Sequence, residues 1–359
     1  MTDSRIPVAI LGATGAVGQT FIRLLNGHPW FRVAEVAASE RSAGKSYAEA
    51  TATWLEGPLP GDVARLTVLP CDTTAVKSPL VFSALDAAAA QQIEPAFAAA
   101  GRFVLSNARN FRMEADVPLV IPEVNAAHLG LIEYQRKNRS WTGAVVTNAN
   151  CAATAAAVAL APLHEAFGVR TVFAATMQAV SGAGYPGVPS LDILGNVIPY
   201  IGDEEPKIEH EMQKMLGRFA GTAIEPAPFV VSAHANRVAV ENGHTIVMSI
   251  GFDRKPTADQ AIAAVRAWRG ASEVRGLPSA PEIPLRYADE PNRPQPRRDA
   301  MLGNGMTVSV GRIREDPILH IKLVAMAHNT IRGAAGGSIL NAELLVSRGF
   351  LPRAGGRTA

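Results

Sequence analysis

The first part of the chain alternates short apolar runs with amphipathic segments. Pro7 to Leu11 is an aliphatic run, followed by glycines at positions 12, 15 and 18 and then by the helical pattern QTFIRLLNGHP. Similar short runs recur as FRVAEVAAS, PLVFSAL and RFVLSN, and the helical segment DAAAAQQIEPAFAAAG lies between the last two. Strands that alternate with helices in this way predict a parallel sheet.

After residue 150 the pattern changes to longer, β-rich segments. Predicted strands are VRTVFAATMQAV, PFVVSAHANRVAV and HTIVMSIGFDR, while MTVSVGRIRE and ILHIKLVAMA alternate apolar with polar residues as strands of an antiparallel sheet do. Helical patterns are CAATAAAVALAPLHEAF, EEPKIEHEMQKML and ADQAIAAVRAWRG. Residues 276–298 contain six prolines, which predicts an extended arm or linker and suggests an oligomer contact.

These patterns predict an α/β protein of two domains. Residues 1–150 are predicted to form a Rossmann-type parallel-sheet domain. Residues 151–328 are predicted to form an α+β domain with a largely antiparallel sheet. A glycine-marked helix at about 329–359 is expected to return to the first domain.

Composition narrows the classes of partner. The chain has 359 residues, with 34 Lys and Arg against 32 Asp and Glu, and this balance predicts neither nucleic acid nor membrane partners. The longest apolar run, Cys151 to Leu163, is too short to span a bilayer. Only Cys71 and Cys151 are present and no signal segment is seen at the N-terminus, so we expect a cytoplasmic protein. No metal site is predicted.

The glycine loop is the first candidate site. Its position between a strand and a helix favours dinucleotide binding over a structural turn, because glycines let the backbone approach a pyrophosphate at the helix N-terminus. The next strand ends at Ser39, and Ser39 with Arg41 favours NADP over NAD. Glu40 or Glu35 would instead bind the ribose of NAD if the strand ended elsewhere. Ser83 and Leu85, after a later strand, are predicted to line the cofactor cleft.

The stretch TNANC places Cys151 at the first turn of a predicted helix, with Asn150 as its N-cap. A helix N-terminus favours a thiolate, yet the dipole contributes only about 0.3–1 kcal/mol, which is less than one pKa unit. A nucleophilic Cys151 therefore needs a further cation or base. The alternative is a small buried core residue.

Several stretches in order make the chain resemble aspartate-semialdehyde dehydrogenase, in particular its archaeal and fungal branch. They are GATGAVGQ, ASERSAGKSY, SNARNFRMEADVPLVIPEVN, TNANC, MQAVSGAGYPGVPSLDI, NVIPYIGDEEPKIEHE, ANRVAVENGHT and HNTIRGAAGGSILNAELL. Two positions depart from the family pattern. Ala149 stands where proline is frequent, and His328 stands where an acidic residue often precedes the asparagine.

The resemblance implies roles for individual residues. Cys151 would be the acyl-accepting nucleophile, His244 the acid/base, and Gln178 the residue that orients the acyl intermediate. The implied substrate ligands are Arg237 for the α-carboxylate, Glu204 or its neighbour Glu205 for the amino group, Arg112 with Lys207 for the phosphate, and Asn150. Arg109 lies in the same loop as Arg112. The implied cofactor ligands are Gly12, Thr14, Gly15, Ala16, Val17, Ser39, Arg41, Ser42, Ser83, Leu85, Ser181, Gly182 and Asn329, with Gly333 and Gly336 closing over the nicotinamide end.

The implied reaction is the NADPH-dependent reduction of L-aspartyl 4-phosphate to L-aspartate 4-semialdehyde through a Cys151 thioester. It belongs to the aspartate-derived pathway that leads to diaminopimelate and lysine, threonine and methionine. The substrates are small molecules. The resemblance also implies that residues 1–150 bind NADP, that residues 151–328 carry catalysis and oligomerisation, and that the protein is a homodimer or homotetramer. Alternatives are the same chemistry on malonyl-CoA or an N-acetylated glutamyl phosphate, and, more remotely, a non-catalytic NADP-binding protein.

Overall fold

The short apolar runs of the first half form one parallel sheet. The computed structural model describes residues 4–51 and 53–352. The six strands are β1 (Ile6–Leu11), β2 (Phe31–Ala38), β3 (Val68–Pro70), β4 (Leu80–Ser83), β5 (Phe103–Ser106) and β6 (Ala144–Thr147). They lie in the order β3-β2-β1-β4-β5-β6, and every pair is parallel. β4, β5 and β6 are buried along their whole length, which explains why these runs are continuous rather than alternating.

Helices connect these strands and cover the sheet. They are α1 (Ala16–Leu25), α2 (Tyr47–Ala50), α3 (Gly61–Ala64), α4 (Ala87–Ala99), α5 (Pro122–Asn125) and α6 (Leu131–Arg139). The predicted Rossmann-type domain is confirmed. The strand order reverses between β1 and β4, so their carboxyl ends form the crevice where this fold binds dinucleotides.

The longer strands of the second half form a mixed sheet. Its strands are β7 (Val169–Gln178), β10 (Val230–Arg237), β11 (His244–Phe252), β12 (Leu285–Ala288), β13 (Val308–Glu315) and β14 (Ile321–Ala327), and a separate pair consists of β8 (Arg218–Phe219) and β9 (Ile224–Glu225). The order is β10-β7-β11-β14-β13-β12, and three of the five pairs are antiparallel. The remaining helices are α7 (Cys151–Phe167), α8 (Ser190–Ile193), α9 (Glu204–Met215), α10 (Ala258–Ala267), α11 (Pro296–Asp299) and α12 (Gly336–Ser347).

Helix α7 lies at the centre of the second hydrophobic core. Alanine has the highest helix propensity and a small side chain, so the alanine-rich sequence both favours a helix and lets neighbours approach closely. Every residue from Ala152 to Leu163 is buried, and the helix contacts β11, β13, β14, α9 and α10. This packing fixes the position of Cys151 at the N-terminal end of α7.

Two predicted segments differ from the structure. The proline-rich stretch 276–298 is not only an extended arm, because its residues in β12 pair with β13 at the edge of the second sheet. The predicted C-terminal helix is shorter than 329–359: a π-helical turn over Ile331–Ala335 leads into α12, which ends at Ser347. Residues 353–359 of that prediction lie outside the described residues. The side chains of α12 pack into the core of the first sheet.

Within residues 4–51 and 53–352, no helix is both long and apolar enough to cross a bilayer.

Candidate active site

The glycine loop has the close contacts that a dinucleotide site requires. Gly12 has φ +70°, and a Cβ there would lie 2.5 Å from the carbonyl oxygen of Ala84. A Cβ on Gly18 would lie 2.3 Å from the carbonyl oxygen of Gly12. Gly15 is the N-cap of α1 and supplies no side-chain cap, so the first-turn N–H groups of α1 stay available for an anion. Thr14, Ala16 and Val17 lie in the same partly exposed turn.

The residues expected near the adenosine ribose lie in a turn directly after β2. Ser39 and Arg41 are exposed, and the N–H of Ser42 donates to the carbonyl of Ser39 at 2.8 Å. Arg41 forms no ion pair with another described residue. Glu35 is wrong as a candidate ribose ligand, because its carboxylate accepts hydrogen bonds from the N–H groups of Lys77 and Ser78.

Glu40 lies in the same exposed turn as Ser39. Ser83, expected to line the cleft, has a fully buried side chain at the end of β4, whereas Leu85 is partly exposed.

Cys151 begins α7 as predicted, and Asn150 caps the helix. The Asn150 side-chain oxygen accepts from the N–H groups of Ala152 and Ala153 at 2.9 and 3.0 Å. Cys151 as a residue is partly exposed, although its thiol group is enclosed, and it lies against Gly333, where an added Cβ would lie 2.5 Å from the Cys151 Cβ.

The electrostatic setting of Cys151 differs from the expected one. Burial, and then the nearby Glu204 carboxylate, raise the pKa of the Cys151 thiol to about 12, which outweighs the opposite effect of Arg112 and Arg237. The free protein therefore holds a neutral thiol.

Glu204, at the start of α9, joins several of the predicted site residues. Its Oε1 accepts from the Asn150 side-chain amide at 2.7 Å and from that of Gln178 at 3.2 Å. Its Oε2 accepts from the ammonium of Lys207 at 3.1 Å. The nearby Lys207 charge and these hydrogen bonds outweigh burial, the largest single effect, and hold the pKa of Glu204 below its ordinary value. Glu205 faces elsewhere, because its carboxylate accepts from the N–H of Ala235 on β10.

Arg112 reaches the site from the loop after β5. One terminal nitrogen donates to Glu211 Oε1 at 3.0 Å and the other to the carbonyl of Asn107 at 2.8 Å. Its Nε–H is buried without a hydrogen-bond partner among the described residues, which suits the binding of an anionic ligand. Arg109 is exposed instead and forms an ion pair with Asp203.

His244 and Arg237 lie side by side under Gly182. A Cβ on Gly182 would lie 2.9 Å from an Arg237 terminal nitrogen and 3.2 Å from His244 Nε2. The N–H of Ala179 donates to His244 Nδ1 at 3.1 Å, so the neutral ring carries its proton on Nε2. Nε2 has no partner among the described residues. Burial lowers the pKa of His244 to about 3.

The predicted role of His244 as the base that activates Cys151 does not fit this tautomer. Because Nε2 already carries a proton, it can donate a hydrogen bond but cannot accept the thiol proton.

The segment around Asn329 closes the other side of the site. The Asn329 side chain donates to the Ser181 hydroxyl at 2.8 Å and accepts from the N–H of Gly243 at 2.8 Å. It therefore fixes the residue that precedes His244. Gly336 packs away from Cys151, because a Cβ there would meet Met306 and Ile331. A cavity of about 650 Å³ lies between α1 and this segment, and Ala16, Ser181 and His328 are among its lining residues.

Two buried residues of α9 escaped the sequence prediction. Glu211 contacts Arg112 and the backbone of Asn150, and Lys214 donates to three carbonyls of the Arg112 loop. The available signal was the repeat of Glu-x-x-Lys at 204/207 and 211/214, whose members share one helix face.

Comparison with known proteins agrees with this geometry. Residues 7–132 match the semialdehyde dehydrogenase NAD binding domain, and residues 160–332 match the semialdehyde dehydrogenase dimerisation domain. Aspartate-semialdehyde dehydrogenase of Archaeoglobus fulgidus is 50% identical over 343 residues, which cover 95% of this chain and 98% of that protein. The Schizosaccharomyces pombe enzyme of the same name is 46% identical over 352 residues, covering 96% and 99%.

A solved structure also resembles the whole chain. Aspartate semialdehyde dehydrogenase with NADP from Candida albicans aligns with a TM-score of 0.88 and 41% identity, covering 96% of this chain and 99% of that chain.

Proposed function

The chain belongs to the aspartate-semialdehyde dehydrogenase family, and we propose that it reduces L-aspartyl 4-phosphate to L-aspartate 4-semialdehyde and phosphate with NADPH. The reverse reaction is the phosphorylating oxidation of the aldehyde. The observation that carries the proposal is the position of Cys151, which stands at the start of α7 within the electrostatic reach of Arg112, Arg237 and Glu204.

The charges around Cys151 match the charges of an aspartyl phosphate. Arg237 binds the α-carboxylate, and Arg112 with Lys207 binds the phosphate. Glu204 binds the α-ammonium group, which also compensates the charge that raises the Cys151 pKa. The amino acid therefore helps to activate the nucleophile that it meets.

In the first step the Cys151 sulfur forms a bond to the acyl carbon, and the bond from this carbon to the phosphate oxygen breaks. The phosphate leaves with the bonding electrons and takes up the thiol proton, so that a thioester and hydrogen phosphate result. A bound NADPH supplies the hydride that reduces the thioester. When the carbon–sulfur bond breaks, the aldehyde is released, and the sulfur takes up a proton from solvent that replaces the one that left with the phosphate.

His244 acts as a hydrogen-bond donor in this scheme. Its Nε2–H is fully buried, finds no partner in the part of the chain that the structure describes, and is held in its tautomer by the Ala179 N–H. A donor fixed in a water-poor site stabilises the negative charge that develops on the acyl oxygen. Gln178, held by Glu204, orients the acyl group.

NADP is the proposed cofactor. The uncapped N-terminus of α1 accommodates the pyrophosphate, and exposed Ser39 and Arg41, with Ser42, meet the 2′-phosphate. The structure of the related Candida albicans enzyme with NADP supports this choice over NAD.

We assign cofactor binding to residues 1–150 with α12, and catalysis and oligomerisation to residues 151–328. One face of the second sheet is uncovered in the single chain and carries Phe173, Val230 and Val247, which are 43%, 68% and 36% exposed. A second copy of the chain covers this face in the proposed homodimer. A homotetramer would form from two such dimers. Both cysteines are free, which fits the proposed cytoplasmic location.

The test is a phosphate-dependent oxidation assay. Purified protein with aspartate semialdehyde, NADP and phosphate should form NADPH, and Cys151→Ala should abolish this turnover while keeping the unfolding temperature. No turnover by the wild type would refute the proposal. Turnover with malonyl-CoA and NADPH, but none with the aspartyl substrate, would assign the same cysteine chemistry to a different acyl donor.

A further inference from the structure

One face of α9 carries the same pair of residues twice. Glu204 and Lys207 are followed seven residues later by Glu211 and Lys214, and a seven-residue step returns to the same side of an α-helix. The first pair lies among the proposed substrate ligands. Both residues of the second pair are buried, with Glu211 2% exposed and Lys214 5% exposed, whereas Lys207 of the first pair is partly exposed.

Glu211 bridges two parts of the site that belong to different segments of the chain. One carboxylate oxygen accepts from Arg112 at 3.0 Å, and the other accepts from the backbone N–H of Asn150 at 2.6 Å. Asn150 is the N-cap of α7 and directly precedes Cys151. A single rigid carboxylate therefore sets the distance between the proposed phosphate ligand and the start of the nucleophile helix.

Lys214 holds the loop that carries Arg112. Its ammonium group donates to the carbonyls of Arg112, Glu114 and Val117 at 2.7, 2.8 and 2.8 Å. Three donors meet three acceptors, so both the ammonium and the buried carbonyls are satisfied. The loop is thereby fixed to α9, the helix that also presents Glu204 and Lys207.

We propose that Glu211 and Lys214 are positioning residues for phosphate: they hold the Arg112 guanidinium at a fixed place relative to Cys151. The inference rests on the proposed function, since it takes Arg112 as the phosphate ligand. Neither residue touches the reacting atoms. Their effect reaches the substrate through Arg112, because they orient its Nε–H, which has no partner within residues 4–51 and 53–352.

The chain offers a matched control on the same helix. Glu209 also accepts a backbone N–H, that of Ala233 on β10 at 3.0 Å, but it contacts neither Arg112 nor the start of α7. In Glu211→Gln, one amide oxygen would face two N–H donors, so either Arg112 or Asn150 loses its acceptor. In Glu209→Gln a single acceptor oxygen is still enough.

The experiment measures the KM values for phosphate, for the aldehyde and for NADP in the phosphate-dependent oxidation. The proteins compared are the wild type, Glu211→Gln and Glu209→Gln. Glu211→Gln should raise the KM for phosphate about tenfold, as expected for a lost hydrogen bond to a charged group. Its KM values for the aldehyde and for NADP should stay within about twofold. Glu209→Gln should resemble the wild type in all three.

Two outcomes would overturn the inference: an unchanged phosphate KM in Glu211→Gln, or an equal change in all three KM values, which would indicate a purely structural role. If Glu211→Gln does not fold, Lys214→Gln takes its place, because its two N–H groups cannot serve three carbonyls and the same selective rise is expected. A wild type without phosphate-dependent turnover would refute the proposed function itself, which keeps the two failures distinct.

Discussion

Each end of α9 carries a glutamate followed three residues later by a lysine, but the two pairs have different partners. At the N-terminal end of α9, here called the open end, Lys207 donates to Glu204, and the Lys207 side chain is 23% exposed. At the buried end, Glu211 and Lys214 serve separate partners: the carboxylate serves Arg112 and Asn150, and the ammonium serves backbone carbonyls. Of these four residues, Lys207 is partly exposed, whereas Glu204, Glu211 and Lys214 are buried.

The difference follows from solvation. Water can solvate the partly exposed Lys207 ammonium when it leaves Glu204, and the buried Glu204 carboxylate keeps the Asn150 and Gln178 amides as donors, so this ion pair contributes little to stability. A buried charge has no such alternative, so removing one partner leaves an unsatisfied group in the interior. Lys207 can therefore exchange Glu204 for a substrate group, whereas Glu211 and Lys214 have to keep their partners.

The largest expected difference between the two ends is in stability. Lys214→Met should lower the free energy of unfolding by about 3 kcal/mol, because three buried carbonyls lose their donor. The matched Lys207→Met should lower it by about 1 kcal/mol or less. Equilibrium urea denaturation at one protein concentration measures both. Equal losses would contradict the distinction between the two ends.

A second difference concerns the reactivity of Cys151. Glu204 raises the Cys151 pKa, so Glu204→Gln should lower this pKa and make iodoacetamide alkylation at pH 8 about tenfold faster. Glu211 is not among the groups that shift this pKa, so Glu211→Gln should alkylate within about twofold of the wild type. A Cys71→Ser background removes the other thiol. Equal rates in the two glutamine variants would show that Glu204 does not govern the thiol.

The pH dependence provides a third comparison. Burial lowers the pKa of Lys214 from 10.5 to about 8, opposed by Asp116, Glu114 and Glu211. Burial also lowers the pKa of the neighbouring His128, and the charge of Lys214 adds to this effect. Above pH 8 the neutral amine has two N–H groups for three carbonyls. The phosphate KM should therefore rise about fivefold between pH 7.5 and pH 9.5, roughly the effect of one hydrogen bond.

Lys214→Arg is the control, because a guanidinium stays charged through this range and should remove the rise. The stability effect has the opposite sign. The folded state releases the proton at a lower pH than the unfolded chain, so the Lys214 contribution to the free energy of unfolding increases from about pH 8 to pH 10.5. A rise in KM that persists in Lys214→Arg would assign it to another group.

The smallest effect on stability and on the phosphate KM is expected from the surface ion pair next to the N-terminal end of α9. Asp203, just before α9, pairs with Arg109 in the exposed part of the Arg112 loop. Because water surrounds both side chains, Asp203→Asn should leave the unfolding temperature unchanged and the phosphate KM within about twofold. A large rise in this KM would show that the loop is held from its exposed side rather than by Lys214.

Much of the fold could be predicted because its signals are local. The run from Pro7 to Leu11 with its glycine loop, and the alternating pattern of β13 and β14, depend on residues close in sequence. Asn150 was recognised as an N-cap because its side chain bonds to N–H groups two and three residues ahead. The proline-rich stretch misled the prediction, because β12 becomes a strand only by pairing with β13.

The sequence by itself determined that Cys151 begins a helix and which residue types are expected around it. Only the tertiary structure decided their states: the thiol of Cys151 is neutral, His244 carries its proton on Nε2, and Glu211 rather than substrate holds one side of Arg112. Burial and hydrogen-bond partners set these states, and the partners come from distant parts of the chain. Glu211 lies 61 residues from Asn150 and 99 from Arg112, so no local pattern could pair them.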